Sequence, residues 1–381
     1  MNSHTQQNLV DLWQTGVDAV DGERAVTRFL ANTSHRRPHA ILSVGKAAGA
    51  MALGALKHFG SPLPCLVVTK PGHADCALNA YPGTEILETS HPEMSEASIG
   101  AGRRAMALIQ SLSPDTELLM LVSGGASALM EVPGPGVSNN EILSLNSRLV
   151  ASGADIEEMN QQRIGASSIK GGRLLSRFPG RKVTVLAIAD VPHANISVIG
   201  SGIGDNMLLT RARGDECAAE LIVASNQIAR QAIGRHAHQL QTPVIANEES
   251  LYGDVHEVAA RIGRQLRQGS SGLYVWGGEP TVVLPDAPGR GGRAQMLALL
   301  LTKALQGCTQ IDALVAGTDG TDGPGDVAGA FVDTKASFSS QQAEQALARA
   351  DAGTYLQARD SLYKTGPTGT NVMDLVIALK R

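Results

Sequence analysis

Aromatic residues are scarce: Phe, Trp and Tyr make up only 3% of the 381 residues. Base-stacking surfaces need such rings, so their scarcity argues against single-stranded nucleic-acid binding. There is no block of Lys or Arg and the net charge is −4, which argues against a nucleic-acid binder. The four cysteines, Cys65, Cys76, Cys217 and Cys308, lack metal-ligand spacing and suit a reducing cytoplasm. The opening stretch MNSHTQQNLVDLW has no basic segment followed by an apolar one, so no secretory signal is expected. No apolar run approaches the ~18 residues of a membrane span. Familiar catalytic signatures are missing as well: G-x-x-x-x-G-K-[ST], G-x-S-x-G and the protein-kinase set. The dinucleotide pattern G-x-G-x-x-G has only a loosened variant at Gly323, Gly325 and Gly329, late in the chain.

Glycine is abundant instead, 42 residues against a usual ~7%. The glycines cluster after apolar runs, which reads as turns where backbone approaches a ligand. Leu118 to Val122 is such a run, expected as a buried strand of a parallel sheet. Ser123-Gly124-Gly125 ends it, and Ala126 to Met130 reads as a helix start. Free N–H groups at that turn suit an anion; a plain strand–helix turn is the competing reading.

The pattern recurs. Ala40 to Val44 runs into Gly45-Lys46-Ala47, placing Lys46 at a strand's carboxyl end, where open α/β sheets bind ligands. A cation there suits a transferring phosphoryl group; a solvated lysine is the bland alternative. Ile169-Lys170-Gly171-Gly172-Arg173 is a second basic glycine loop. The strand Lys182 to Ala189 ends at Asp190, placed to bind Mg²⁺, accept a proton or cap a turn. His91 and His193 also follow strands, where an ordinary hydrogen-bonded histidine is the default. Leu273 to Trp276 leads into Gly277-Gly278-Glu279. Pro288 to Arg293 is a further basic glycine loop, entering an apolar helix. Ala313 to Ala316 feeds Gly317-Thr318-Asp319-Gly320-Thr321-Asp322, an acidic loop. Cations, turn N–H groups and carboxylates are the ingredients of phosphoryl transfer.

Strands alternating with helices predict an α/β protein with a parallel, doubly wound sheet. Leu9 to Leu30 has helical spacing and predicts one helix. At roughly 100–200 residues per domain the length suggests two domains, read as 1–240 and 241–381.

At these loops the sequence resembles the glycerate 2-kinase family, whose C-terminal part is the MOFRL domain and whose older names include hydroxypyruvate reductase. The similar stretches include SVGKAAGAM (43–51), TSHPE (89–93), LVSGGASALM (121–130), IKGGRL (169–174) and AIADVP (187–192). GGEPTV (277–282), GRGGRAQ (289–295), GTDGTDGPGDVAGA (317–330) and TGPTGTNVMD (365–374) follow in family order. The resemblance implies a Rossmann-like N-terminal domain, a smaller MOFRL-type α/β domain, and phosphorylation of D-glycerate with ATP and Mg²⁺. It implies Lys46 and Arg293 as charge stabilisers, and position at a strand's carboxyl end makes Asp190 a further catalytic candidate. Ser123, Gly124, Gly125, Ser127, Lys170, Gly277, Gly278, Glu279 and Thr318 would bind substrate or phosphate, and their position in the acidic loop makes Asp319 and Asp322 the metal candidates. The expected partners are a small hydroxy acid and a nucleotide, without nucleic acid or membrane; a homodimer is left open.

The chain departs from the family at several loops. A Lys-His pair expected after Arg163 is Ile164-Gly165. Asn and Glu of the G-G-R-N-Q-E loop are Ala294 and Met296, and the second Asn of N-V-N-D is Met373. Besides glycerate kinase, these losses leave open a changed sugar-acid substrate or a non-catalytic ligand-binding protein; hydroxypyruvate reductase has less support.

Overall fold

The computed structural model describes residues 3–152, 156–323, 325–334 and 340–381. The chain divides into two compact units. One comprises Val20–Ser225 with Gly369–Asn371; the other comprises Met1–Ala19, Asn226–Thr368 and Val372–Arg381. The division therefore falls after Ser225, not between 240 and 241 as the sequence suggested, and each unit takes a remote piece of chain. Packing explains the shift. The helix Asn226–Gln239 lies against the helix Ser3–Ala19 and the strands of the second sheet. Gly16 allows the close approach, since a Cβ there would stand 2.8 Å from Ile233 Cδ1.

The single N-terminal helix expected from periodicity is two, Ser3–Ala19 and Gly22–Asn32. Asp21 separates them: its carboxylate accepts from Arg24 N–H at 2.8 Å and caps the second helix.

In the first unit, β1 (Ala40–Val44), β2 (Cys65–Thr69), β3 (Thr84–Glu88), β4 (Glu117–Val122), β5 (Lys182–Ala189) and β6 (Ala218–Ser225) form one sheet. The order is β3-β2-β1-β4-β5-β6 and every pairing is parallel. All five residues of β1 are buried, as helices on both faces of a parallel sheet require. Leu42, Met120, Val122, Ile109 and Phe178 contribute to its core. Between β1 and β4 the connections diverge to opposite edges, the topological switch point where such sheets bind ligands.

The second unit holds β7 (Val244–Glu249), β8 (Gly272–Gly278), β9 (Ile311–Gly317), β10 (Gly329–Val332), β11 (Leu362–Tyr363) and β12 (Asp374–Lys380). The order is β11-β10-β9-β12-β8-β7, and only β7 and β8 pair in parallel. The parallel reading of the N-terminal domain thus holds, and the sheet of the second α/β unit is mixed. The last strand enters from the glycine loop 365–371 rather than from a crossover helix, and it runs antiparallel between β8 and β9. Helices Val255–Gln268 and Arg293–Ala304 pack together, burying Ile262, Leu297 and Leu301 in a core shared with Trp276. The register sets Asp374 opposite both Gly278 and Gly317. Its carboxylate is therefore level with the carboxyl ends of β8 and β9.

Candidate functional site

At the switch point the turns after β1 and β4 are laced together. Lys46 N–H donates to Gly124 O at 2.8 Å, and Ala47 N–H donates to Ser123 Oγ at 3.0 Å. Ser123 is wholly buried, so its hydroxyl shapes the turn rather than facing a ligand. Gly124 lies against Asp190, which follows β5. A Cβ on Gly124 would stand 1.8 Å from Asp190 Oδ2 and 2.2 Å from Asn371 Nδ2. Asn371 in turn donates to Asp190 Oδ2 at 3.2 Å. Gly125 sits at φ +84°, with the His91 ring and Lys46 Cγ 3.0–3.2 Å from where a Cβ would be. Lys46, His91, Asp190 and Asn371 thus border one glycine turn. The helix after it is a single turn, Ala126–Leu129, too short to carry the macrodipole that the sequence argument invoked.

Ser127 projects from that turn and hydrogen-bonds Ser201 Oγ at 2.9 Å. Lys170 does not join the cluster as an open anion ligand. Its side chain is 0% exposed and ion-paired with Glu131, itself fully enclosed and also bonded to Ser167 Oγ and Val132 N–H. Burial pushes the ammonium's pKa down and Glu131 opposes that shift. Arg163 also faces this carboxylate, and burial lowers its pKa too.

The second unit gathers its own charged group at the ends of β8, β9 and β12. Arg293 opens its helix and is ion-paired with Glu279; its Nε lies 3.9 Å from Asp374 Oδ2. Burial opposes the guanidinium's charge, but Glu279, Asp374, Asp322 and Asp319 outweigh it and raise its pKa. Asp374 is buried, and its pKa is pushed up to about 8. Burial is the largest cause, Arg293 opposes it, and Glu279, Asp322 and Asp319 add to it.

Three residues named from the loops prove to be occupied by the protein itself. Asp322 accepts from Ala294 N–H at 3.0 Å and from Gln295 N–H and Nε2 at 2.8 and 2.9 Å, so it caps the Arg293 helix. Thr318 Oγ1 donates to Met373 O at 2.7 Å and accepts from Val372 N–H at 2.9 Å, clamping the entry to β12. Gly277 makes room for Asn226, whose Oδ1 would be 1.7 Å from an added Cβ. Gly278, at φ +129°, ends β8 beside it.

Among the described residues no three His, Cys, Asp or Glu side chains are arranged to hold a metal ion. Asp319 Oδ1 accepts from Thr321 N–H and Oγ1 at 2.9 and 3.0 Å. With Asp322 occupied, this donor set suits a Mg²⁺ carried by phosphates and water on one or two carboxylates, not an all-protein cage. A cavity of about 550 Å³ lies at the amino ends of β4 and β5, lined by residues such as Arg36, Arg181 and Lys182. It contains none of the residues above. The His193 side chain lies outside the described residues.

Sequence reasoning singled out neither Asn371 nor Asp374. A carboxylate heading the apolar strand 374–380 was a usable signal, because an unpaired charge there would be costly. Among the described residues, no helix is long and apolar enough to cross a membrane.

Residues 8–209 match a family described only as a domain of unknown function, DUF4147, and residues 272–374 match the MOFRL family. A D-glycerate 2-kinase of Thermotoga maritima is 32% identical, covering 97% of each chain. An Agrobacterium vitis protein provisionally named a hydroxypyruvate reductase is 34% identical over 88% of this chain and 97% of its own. The crystal structure of a glycerate kinase from Thermotoga maritima superposes with a TM-score of 0.83 at 31% identity, covering 99% of this chain and 100% of that one.

Proposed function

The chain belongs to the glycerate 2-kinase family with a MOFRL domain, and from that membership we propose that it phosphorylates D-glycerate on the 2-hydroxyl with ATP. The 2-hydroxyl oxygen bonds to the γ-phosphorus, the bond to the bridging oxygen of ADP breaks, and the hydroxyl proton passes to Asp190. The observation that carries this reading is the Gly124–Gly125 turn, bordered by Lys46, Asp190 and Asn371 at the sheet's switch point.

Lys46, in the first unit, is assigned the cationic role toward the transferring phosphoryl group, and Arg293, in the second, a cationic role toward phosphate oxygens. The Gly124–Gly125 turn binds substrate oxygens, with Ser123 holding its shape. Asn371 orients Asp190, and Glu279 with Asp374 orients Arg293. Asp319 is the carboxylate that would hold Mg²⁺, which neutralises phosphate charge when bound. Lys170, Thr318 and Asp322 are assigned to holding the loops rather than touching ligand. The first βα turn reads Gly45-Lys46-Ala47-Ala48-Gly49 and lacks the dinucleotide fingerprint, which weighs against a reductase despite the relative's name.

An ADP-release assay over D-glycerate and related sugar acids tests the proposal. Turnover with D-glycerate is expected, falling by at least roughly 100-fold in Lys46→Ala, as for loss of one transition-state charge contact. No turnover on any substrate, or a fully active Lys46→Ala, overturns it. Thermal stabilisation by D-glycerate without turnover would identify a binding protein instead.

A further inference from the structure

The hydrogen bonds behind Ser127 have a fixed direction. Val198 O can only accept, so the Asn160 amide group facing it at 3.4 Å is Nδ2, the donor. Asn160 Oδ1 then faces Ser201 and accepts from its hydroxyl at 2.7 Å. Ser201 Oγ has one proton, and Asn160 receives it. The 2.9 Å contact between Ser127 Oγ and Ser201 Oγ must therefore be donated by Ser127. Ser127 is left with lone pairs and no proton to offer, and among the described residues its side chain makes no other hydrogen bond.

A phosphate or carboxylate oxygen is also only an acceptor, so it finds no partner in Ser127. We infer that Ser127 accepts a hydrogen bond from a substrate hydroxyl, with Ser201 and Asn160 as positioning residues that keep it an acceptor. The relay selects a hydroxy acid over an analogue whose corresponding group is an oxo group or a hydrogen. This rests on the kinase reading of the same glycine turn and revises the expectation that Ser127 binds an anion.

Ser201 and Asn160 are buried, which protects the relay from water. Ser201 is at φ +57°, between Gly200 at φ +58° and Gly202 at φ +72°. That conformation favours glycine, so Ser201→Gly removes the hydroxyl without backbone strain.

The test is calorimetric binding of three probes to the full chain: D-glycerate, hydroxypyruvate (oxo at carbon 2) and D-lactate (no 3-hydroxyl). Wild type prefers D-glycerate to the analogue that lacks the contacted hydroxyl. Ser201→Gly and Ser127→Ala each lower that preference, by roughly tenfold for one lost hydrogen bond, and the double variant lowers it no further. Tight D-glycerate binding with both preference ratios unchanged in Ser201→Gly overturns the relay and leaves the kinase reading standing. Absence of D-glycerate binding by wild type overturns both.

Discussion

Gly124→Ala tests the site most directly, because its effect follows from one distance. The added methyl would stand 1.8 Å from Asp190 Oδ2, whereas ordinary contact begins near 3.4 Å. No positive φ applies at Gly124, so alanine suits the backbone and the cost is purely steric. Either Asp190 or the turn must move by more than about 1 Å, and Asn371 Nδ2, 2.2 Å from the same methyl, must move with it. Overpacking of this kind costs about 1–3 kcal/mol of stability, which leaves a folded protein to assay. Misplacement of a reacting group by about 1 Å costs roughly 100-fold in rate. The expected result is a loss of that order in kcat/KM for D-glycerate, with the cooperative urea transition retained. In an Asp190→Ala background the same substitution adds little to the loss in kcat/KM, because Asn371, the other group displaced, acts through Asp190. A Gly124→Ala enzyme within a few-fold of wild type would refute the assignment of Asp190.

Other substitutions separate the roles further. Gly100 is exposed in the helix Glu96–Gln110 with nothing within 4 Å of an added Cβ, so Gly100→Ala stabilises by about 0.5–1 kcal/mol in urea melts. Lys170→Met strands the enclosed Glu131 carboxylate and costs about 3–5 kcal/mol; equal stability would show that the pair is dispensable. Asp374 binds a proton in the folded state up to about pH 8, but an unfolded aspartate releases it near pH 4. The folded state therefore holds the extra proton across that window, and its contribution to stability falls as pH rises. Asp374→Asn should flatten this slope in urea melts at pH 5, 6.5 and 8. Ser123→Ala leaves the Ala47 N–H without its 3.0 Å acceptor and costs about 1–3 kcal/mol, measurable by the same melts.

Much of the first unit was legible because parallel strands announce themselves as apolar runs closed by glycine. The turns after β1 and β4, Lys46 and Asp190 all followed from that pattern. The mixed sheet was harder. β10 and β11 span four and two residues, too short for periodicity to register. What local sequence cannot reveal is where a polar side chain spends its hydrogen bonds. Lys170, Thr318 and Asp322 looked like ligand groups in their loops, yet Glu131, Met373 and Gln295 lie 39, 55 and 27 positions away. Asn371 was read only as part of a motif and given no role for the same reason, since its partner Asp190 is 181 positions distant. The family departure at Met373 also gains a physical meaning. That residue is at φ +69°, where Asn and Gly are favoured, so the asparagine expected there from the resemblance would suit the backbone.

The assignment of Gly369–Asn371 to the parallel-sheet unit limits how this protein can be dissected. Gly22 N–H donates to Gly369 O at 3.1 Å, and Thr370 Oγ1 to Val20 O at 2.6 Å. A gene truncated after Ser225 would encode every strand of the parallel sheet but omit these contacts and the amide that holds Asp190. A fragment beginning at Asn226 would likewise lack the helix Ser3–Ala19. Neither half is a natural cassette, so exchange of modules between relatives must carry both chain ends along.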